Sequence, residues 1–289
     1  MLIGFNYTLG STYPFVRQMA QDGEIDYCEL LIDNFLQVPP AELAAAFPCP
    51  LGLHIMFSRF LENDQAALEA LAQRLRDYIA VLRPLYVSDH VATFTHQGRH
   101  LYHLAEVDYR AGYAALRARV QWWQQQLGVR LHLENYPSLL PGGHDAPDCF
   151  TRLMDDTGCG LLFDLSNAVC AQRNCGLALD AWLPVAARAS HFHVAGYGES
   201  MLAPKLALDT HDADLADDTM AWLRALRPLI DAPGHTLTYE RDAAIDAAAV
   251  RAEVRRLRAL FAADPAPADP DRDPDRDLDA DLDADLDAD

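Results

Sequence analysis

The chain has 289 residues, 51% of them hydrophobic, which is enough to bury a sizeable core as one domain. Its formal charge of −20 splits evenly: residues 264–289 hold 12 Asp and 2 Arg, or −10, which leaves 31 acids against 21 bases, again −10, for residues 1–263. Acidity in both parts argues against a duplex-binding protein, and with no apolar run of about 18 residues and no leader-like N-terminus the reading is a soluble, cytoplasmic protein that binds neither nucleic acid nor membrane.

Apolar strand-like runs alternate with helical patterns along the chain. The predicted strands are Leu2 to Tyr7, Tyr27 to Ile32, Leu51 to Met56, Leu85 to His90, Arg130 to Asn135, Gly160 to Leu165, Ser190 to Ala195 and Thr236 to Glu240. The predicted helices lie near 14–21, 40–47, 65–82, 108–127, 147–156, 179–188, 215–230 and 244–262. Within 65–82, Leu68, Leu71, Leu75, Tyr78, Ile79 and Leu82 recur at three-and-four spacing, the stripe of a helix packed on a core. Strands alternating with helices in this number and length match an α/β fold of the (β/α)8 TIM-barrel type. An open doubly wound sheet is the competitor, and the position of the polar residues separates the two.

The six cysteines (28, 49, 149, 159, 170 and 175) form no Cys-x-x-Cys pair, so neither a zinc ribbon nor a thioredoxin-type motif is present. After residue 262 the composition shifts to Asp-Pro repeats and Leu-Asp-Ala-Asp repeats. Such a segment buries too little apolar area to offset its ordering entropy, so 1–262 is read as the barrel domain and 263–289 as a disordered acidic tail.

Polar residues gather at the C-terminal ends of the predicted strands. The third ends at His54, the fourth at Asp89 and His90, the fifth at Glu134 and Asn135, the sixth at Asp164 with Asn167 beyond, the seventh at His193 and the eighth at Glu240; Asp209 and His211 follow the seventh. A barrel brings these ends to one face, where an open sheet would spread them along an edge. So many carboxylates without Lys or Arg beside them leave buried negative charge uncompensated unless cations bind. Nitrogen and oxygen donors without a cysteine cluster suit iron, manganese or zinc, and the number of donors suits two or three ions. His132 and His191, one step deeper, read as support or core. Arg59 either clamps substrate or pairs with a neighbouring loop, and Asn135 and Tyr136 either orient substrate or buttress Glu134.

The motifs Gly4-Phe5-Asn6-Tyr7, Ser58-Arg59-Phe60, Ser88-Asp89-His90, Glu134-Asn135-Tyr136-Pro137, Asp164-Leu165-Ser166-Asn167-Ala168, His193-Val194-Ala195-Gly196, Asp209-Thr210-His211 and Glu240-Arg241 together resemble the multinuclear non-haem iron-dependent oxidase family. The resemblance runs from about residue 2 to 260, and Tyr27 to Phe35 with Val169 to Cys175 resemble its methanobactin-biosynthesis branch. It implies a TIM barrel with two or three irons of mixed Fe(II)/Fe(III) state, O2 as co-substrate, and oxidation of cysteines in a ribosomally made precursor peptide to oxazolone and thioamide groups. It implies His54, His90, Glu134, Asp164, Asn167, His193, Asp209, His211 and Glu240 as metal ligands, and a companion peptide-recognition protein in a heterodimer. The competing classes are a multi-metal sugar isomerase or endonuclease-like hydrolase, and a non-enzymatic metal-binding protein. A segment with no core to contribute is dispensable for folding: deleting residues 264–289 is expected to leave the melting temperature unchanged, and a large fall would overturn the tail assignment.

Overall fold

In the computed structural model, which describes residues 1–262, eight parallel strands close into a barrel in chain order. They are β1 (Leu2–Tyr7), β2 (Tyr27–Leu31), β3 (Leu51–Ile55), β4 (Val87–His90), β5 (Leu131–Glu134), β6 (Gly160–Asp164), β7 (His191–Ala195) and β8 (Thr236–Glu240), with β8 pairing back onto β1. Helices α1 (Tyr13–Gln21), α2 (Pro40–Ala46), α3 (Gln65–Leu82), α4 (Tyr113–Leu127), α5 (Ala146–Thr157), α6 (Leu165–Cys175), α7 (Leu183–Ala186), α8 (Asp217–Ile230) and α9 (Ala247–Phe261) accompany the strands. The expected TIM barrel is thus the fold observed. The acidic tail expected at 263–289 lies outside the described residues. Among the described residues no helix is long and apolar enough to cross a membrane.

Period-two alternation divides each strand between two environments. Leu53, Leu133, Phe163, Phe192, Val194 and Leu237 are fully buried in the hydrophobic layer beneath the helices. Each such side chain stabilises the fold by roughly 1.5–3 kcal/mol, so this layer carries the barrel and leaves its interior free to be polar. The alternate residues fill that interior. Register sets His90 beside Glu134 and places His193 between Asp164 and Thr238.

Large rings fill the barrel floor where glycines leave room. A Cβ on Gly4 would lie 2.4 Å from the Tyr27 ring, one on Gly52 2.7 Å from that of Tyr86, and one on Gly160 2.3 Å from that of His132. The Tyr27 and Tyr86 hydroxyls meet Thr238 Oγ1 at 2.6 and 3.1 Å. The rings of His132 and His191 meet at 4.5 Å on the same floor, so both belong to packing below the mouth.

Several elements depart from the sequence reading. Residues Ala92–His96 and Arg99–Glu106 form an antiparallel hairpin after β4 that the predicted elements do not include, with His96 and His100 on its strands. Gln97 and Gly98 both have positive φ (50° and 75°), the requirement of the tight turn that joins such strands. Helix α6 was not anticipated. It follows β6 without a loop, because Asp164 ends the strand and caps the helix by accepting from Asn167 N at 2.8 Å. The helix expected at 179–188 divides into a 3-10 turn (Leu179–Trp182) and α7, with Pro184 at the junction unable to donate. The helix expected from 108 starts at Tyr113, since Asp108 takes the Arg110 and Ala111 amides into a turn.

Gly4→Ala drives a methyl into the fully buried Tyr27 ring, so it is expected to destabilise the barrel by about 1–3 kcal/mol. Gly142→Ala, with open space around the new Cβ, serves as the control for thermal melting. Equal melting temperatures for the two variants would refute this packing of the floor.

Candidate metal centre

The strand ends deliver their side chains to one cavity of about 480 Å³ at the C-terminal mouth of the barrel. Glu134, from the middle of the ring, turns its two oxygens toward different partners. Oε2 lies 3.4 Å from His54 Nε2 and 3.0 Å from His90 Nε2, while Oε1 lies 3.6 Å from His193 Nδ1. His193 Nδ1 is also 2.9 Å from Glu240 Oε2, and that oxygen is 3.8 Å from His211 Nε2. His211 Nε2 in turn is 2.7 Å from Asp209 Oδ1. One donor atom each from His54, His90 and Glu134 falls within 4.8 Å of the others, and the same holds for Glu134, Asp164, His193 and Glu240. The donors therefore form a row in which Glu134 and Glu240 are shared by neighbouring groups.

Local backbone structure places the members that the strands do not. Asn167 stands in the first turn of α6, with its Nδ2 3.0 Å from the Asn135 carbonyl and 3.5 Å from Glu134 Oε1. His211 has φ of 50°, a left-handed conformation uncommon outside glycine, and its carbonyl accepts from Asp242 N at 2.8 Å. Its ring Nδ1 lies 3.0 Å from Asp242 Oδ2, while Asp242 Oδ1 accepts from Asn6 Nδ2 at 2.7 Å.

The charges form a dense mixture. Burial pushes His54 down to about 4, and His90 adds to the effect, so at neutral pH its ring has a free lone pair. Burial also opposes the charge on His90, but Glu134 outweighs it and the value rises to about 9. For Glu134 burial favours the neutral form, yet His90, His193 and His54 hold the carboxyl well below its ordinary value. Burial followed by the field of Asp209, Glu134 and Glu240 drives Asp164 well upward. Glu240 rises to about 7 through burial, against the pull of His193 and His211. Despite burial His193 rises because Glu240 and Glu29 face it, and His211 because Asp209 and Glu240 do. Protons stand here where cations would otherwise balance the carboxylates.

Glu134 Oε2, Asp164 Oδ2, Asn167 Oδ1, His193 Nδ1, Asp209 Oδ1, His211 Nε2 and Glu240 Oε2 are buried without a hydrogen-bond partner, although several approach one another at ion-pair distance. Among the described residues no Lys or Arg lines the cavity. Buried oxygen and ring-nitrogen atoms left without partners and converging on common points, with no Lys or Arg among the cavity's lining residues, fit bound metal ions.

The structure thus brings together His54, His90, Glu134, Asp164, Asn167, His193, Asp209, His211 and Glu240. Asp89 turns the other way, into the layer under the helices, where it accepts from Trp123 Nε1 at 2.9 Å. Asn135 is 1% exposed, and its amide is committed to the Asp164 backbone, donating to the carbonyl and accepting from the N–H at 2.8 Å each. Tyr136 donates to the Leu104 carbonyl at 2.7 Å and so ties the hairpin to the barrel. Arg59 does not line the cavity. It braces Glu62 at 3.3 Å and stacks over Phe94, and Glu62 accepts from the Phe94 and Thr95 amides. Sequence reasoning passed over Glu29 and Asp242, which contact the outer nitrogens of His193 and His211. The alternation Tyr27, Glu29 on β2 carried the signal for Glu29, but that residue stands inside its strand and not at the end.

Fold and donor set together define a (β/α)8 barrel whose mouth carries buried His, Asp and Glu donors that could hold metal ions. The chain belongs to the family described as RiPP precursor modification enzyme MbnB/TglH/ChrH, which it matches over residues 6–262, and so to a group of peptide-modifying enzymes. It is 30% identical over 266 residues to a UPF0276 protein of Caulobacter vibrioides strain NA1000 / CB15N, covering 87% of this chain and 93% of that one. A UPF0276 protein of Caulobacter sp. strain K31 is 34% identical over 167 residues, 56% of this chain and 58% of the relative. Among solved structures the chain is similar in fold to a D-allulose 3-epimerase from Methylomonas sp., with a TM-score of 0.60 at 11% identity over 90% of this chain and 98% of that one. A D-psicose 3-epimerase gives 0.57 at 16% identity, again over 90% and 98%. At these identities the two epimerases show the fold alone.

Metal binding must displace the protons held near neutrality by His90 and Glu240. The metal-free protein is therefore expected to release protons on loading, with apparent affinity climbing as pH rises through about 7 and toward about 9. Calorimetric titration in buffers of different ionisation enthalpy reads this directly, and a heat independent of buffer would contradict the protonation pattern.

Proposed function

We propose that this protein is an iron- and O2-dependent oxidase acting on cysteines of a ribosomally made precursor peptide, to give the oxazolone and thioamide groups of a methanobactin-type copper-chelating peptide. The observation that carries the reading is the row of orphaned histidine and carboxylate donors, shared through Glu134 and Glu240, in a chain of the peptide-modifying family. The runs Tyr27 to Phe35 and Val169 to Cys175 support the methanobactin branch. A companion peptide-recognition protein, in a heterodimer with this chain, belongs to the same proposal.

His54, His90 and Glu134 would hold one ion; Glu134, Asp164, His193 and Glu240 a second, with Asn167 near Glu134; and Asp209 and His211, with Glu240 3.8 Å from His211, would form the donor group for a third. When bound, iron supplies Lewis acidity toward a substrate thiolate and the electron exchange with O2 that the oxidation requires. The residues of the chain do the positioning. Phe57, Phe94, Leu101 and Leu104 line the cavity and give part of its wall an apolar surface. His54, neutral at working pH, offers a lone pair without first losing a proton. Cys170 is buried and lies in the field of Asp209 and Asp164, which holds its thiol protonated, so it does not compete with a substrate cysteine.

Glu134→Ala and His193→Ala are expected to lower bound iron and abolish peptide oxidation. The reading is tested by coexpressing the chain with a cysteine-containing precursor peptide and its companion protein. A four-electron oxidation removes four hydrogens from the peptide, which mass spectrometry detects. An unchanged peptide mass, or protein that carries only zinc or manganese and consumes no O2, would count against it.

A further inference from the structure

Glu29 lies on β2 inside the barrel, 1% exposed, directly beneath the donor row. Its Oε2 is 2.8 Å from His193 Nε2 and also accepts the Tyr86 hydroxyl. Tyr86 is held in turn against Thr238 in the pocket that Gly52 leaves open. The carboxylate is thus fixed from below by a buried phenol and meets the imidazole from the side opposite the donors.

The four imidazoles of the site are not alike. His54, His90 and His211 turn Nε2 toward the donors and keep Nδ1 on an outer partner: Ser88 Oγ at 2.8 Å, the Ile55 carbonyl at 3.2 Å and Asp242 Oδ2 at 3.0 Å. His193 is reversed, presenting Nδ1 to Glu134 and Glu240 and Nε2 to Glu29. A neutral imidazole has one N–H and one lone pair, and whichever nitrogen finds an acceptor keeps the hydrogen. Without an acceptor below the ring, the proton is free to sit on Nδ1 and point at the donor row, where it repels a cation.

We propose that Glu29 is a positioning residue that fixes His193 with its hydrogen on Nε2 and its lone pair on Nδ1, directed at the ion held by Glu134, Asp164 and Glu240. Glu29 does not touch the ion. It acts through the ring, both by orienting it and by raising the electron density on Nδ1. The inference rests on the reading of His193 as a metal ligand.

The test uses the full-length protein loaded with Co(II), whose paramagnetism shifts the ring N–H signals of bound histidines away from the rest of the spectrum. With histidine ring nitrogens labelled, His193 is expected to bind through Nδ1 and to carry a slowly exchanging hydrogen on Nε2. Glu29→Gln keeps the shape and loses the charge. It is expected to weaken one class of Co(II) site about 10–100-fold, leave the His54–His90 site as in the wild type, and speed exchange of the His193 N–H. Tyr86→Phe retains the carboxylate and is expected to hold Co(II) nearly as tightly as the wild type. A purely structural role predicts otherwise: both variants lower the melting temperature and neither changes Co(II) affinity, an outcome that overturns the proposal. So does His193 bound through Nε2 in the wild type, a measurement that needs no variant to fold. His193→Ala separates the two levels of the argument. If it loses a Co(II) site while Glu29→Gln behaves as wild type, only the positioning role fails; if it binds Co(II) as wild type, the metal-site reading itself fails.

Discussion

A cavity that gathers buried carboxylates with no Lys or Arg among its described lining residues is the constraint on which the structure of this protein turns. Removing a carboxylate from water costs several kcal/mol even after relaxation, and Glu134, Asp164 and Glu240 are all buried with donor oxygens within 4.8 Å of one another. The barrel tolerates them because its stability resides elsewhere. The layer between strands and helices holds the fully buried Leu53, Leu133, Phe163 and Leu237, each contributing roughly 1.5–3 kcal/mol. Protons on His90, His193 and His211 balance the charge in the metal-free chain, and metal ions are the alternative counter-charge.

Positioning follows a common rule around the site. Each histidine of the donor row has its outer nitrogen engaged, by a hydroxyl, a main-chain carbonyl or a carboxylate. The acids are held as well: Asp164 is fixed as the cap of α6, and the Asn135 amide pins the Asp164 backbone. A donor row held at its outer atoms does not have to reorganise to receive an ion, which is how a protein cavity outcompetes water for a cation.

The barrel was legible in the sequence because eight apolar strand-like runs alternate with helical patterns and six of them, the third to the eighth, carry polar residues at or near their C-terminal ends, as β6 does at Asp164. The candidate donors were read from those strand ends, with Asn167 just beyond the sixth and Asp209 and His211 in the loop after the seventh, and the family resemblance implied the same nine as ligands. What escaped shares a physical character. Glu29 is polar in the middle of a buried strand, where alternation alone does not distinguish a functional acid from a packed one. Helix α6 begins at the residue after the one that ends β6, so no turn signal separates the two. The hairpin after β4 was hidden because Thr93, Phe94 and Thr95 are half-buried, and its Gln-Gly turn is a weaker mark than Asn-Gly. Arg59 and Asn135 had the chemistry of substrate contacts, but their local partners, Glu62 and the Asp164 backbone, had already claimed them.

Among the described residues that hairpin pairs only with itself and joins no barrel ladder. Side chains fasten it to the rest of the molecule: Glu62 grips the Phe94 and Thr95 amides, and Tyr136 reaches the Leu104 carbonyl. Its Phe94, Leu101 and Leu104 nevertheless form part of the wall above the donor row. The shape of the opening and the integrity of the barrel are thus encoded in different stretches of the chain. Substitutions along the hairpin can reshape what the cavity admits while the donors beneath keep their places, so selectivity here is free to drift without dismantling the chemistry.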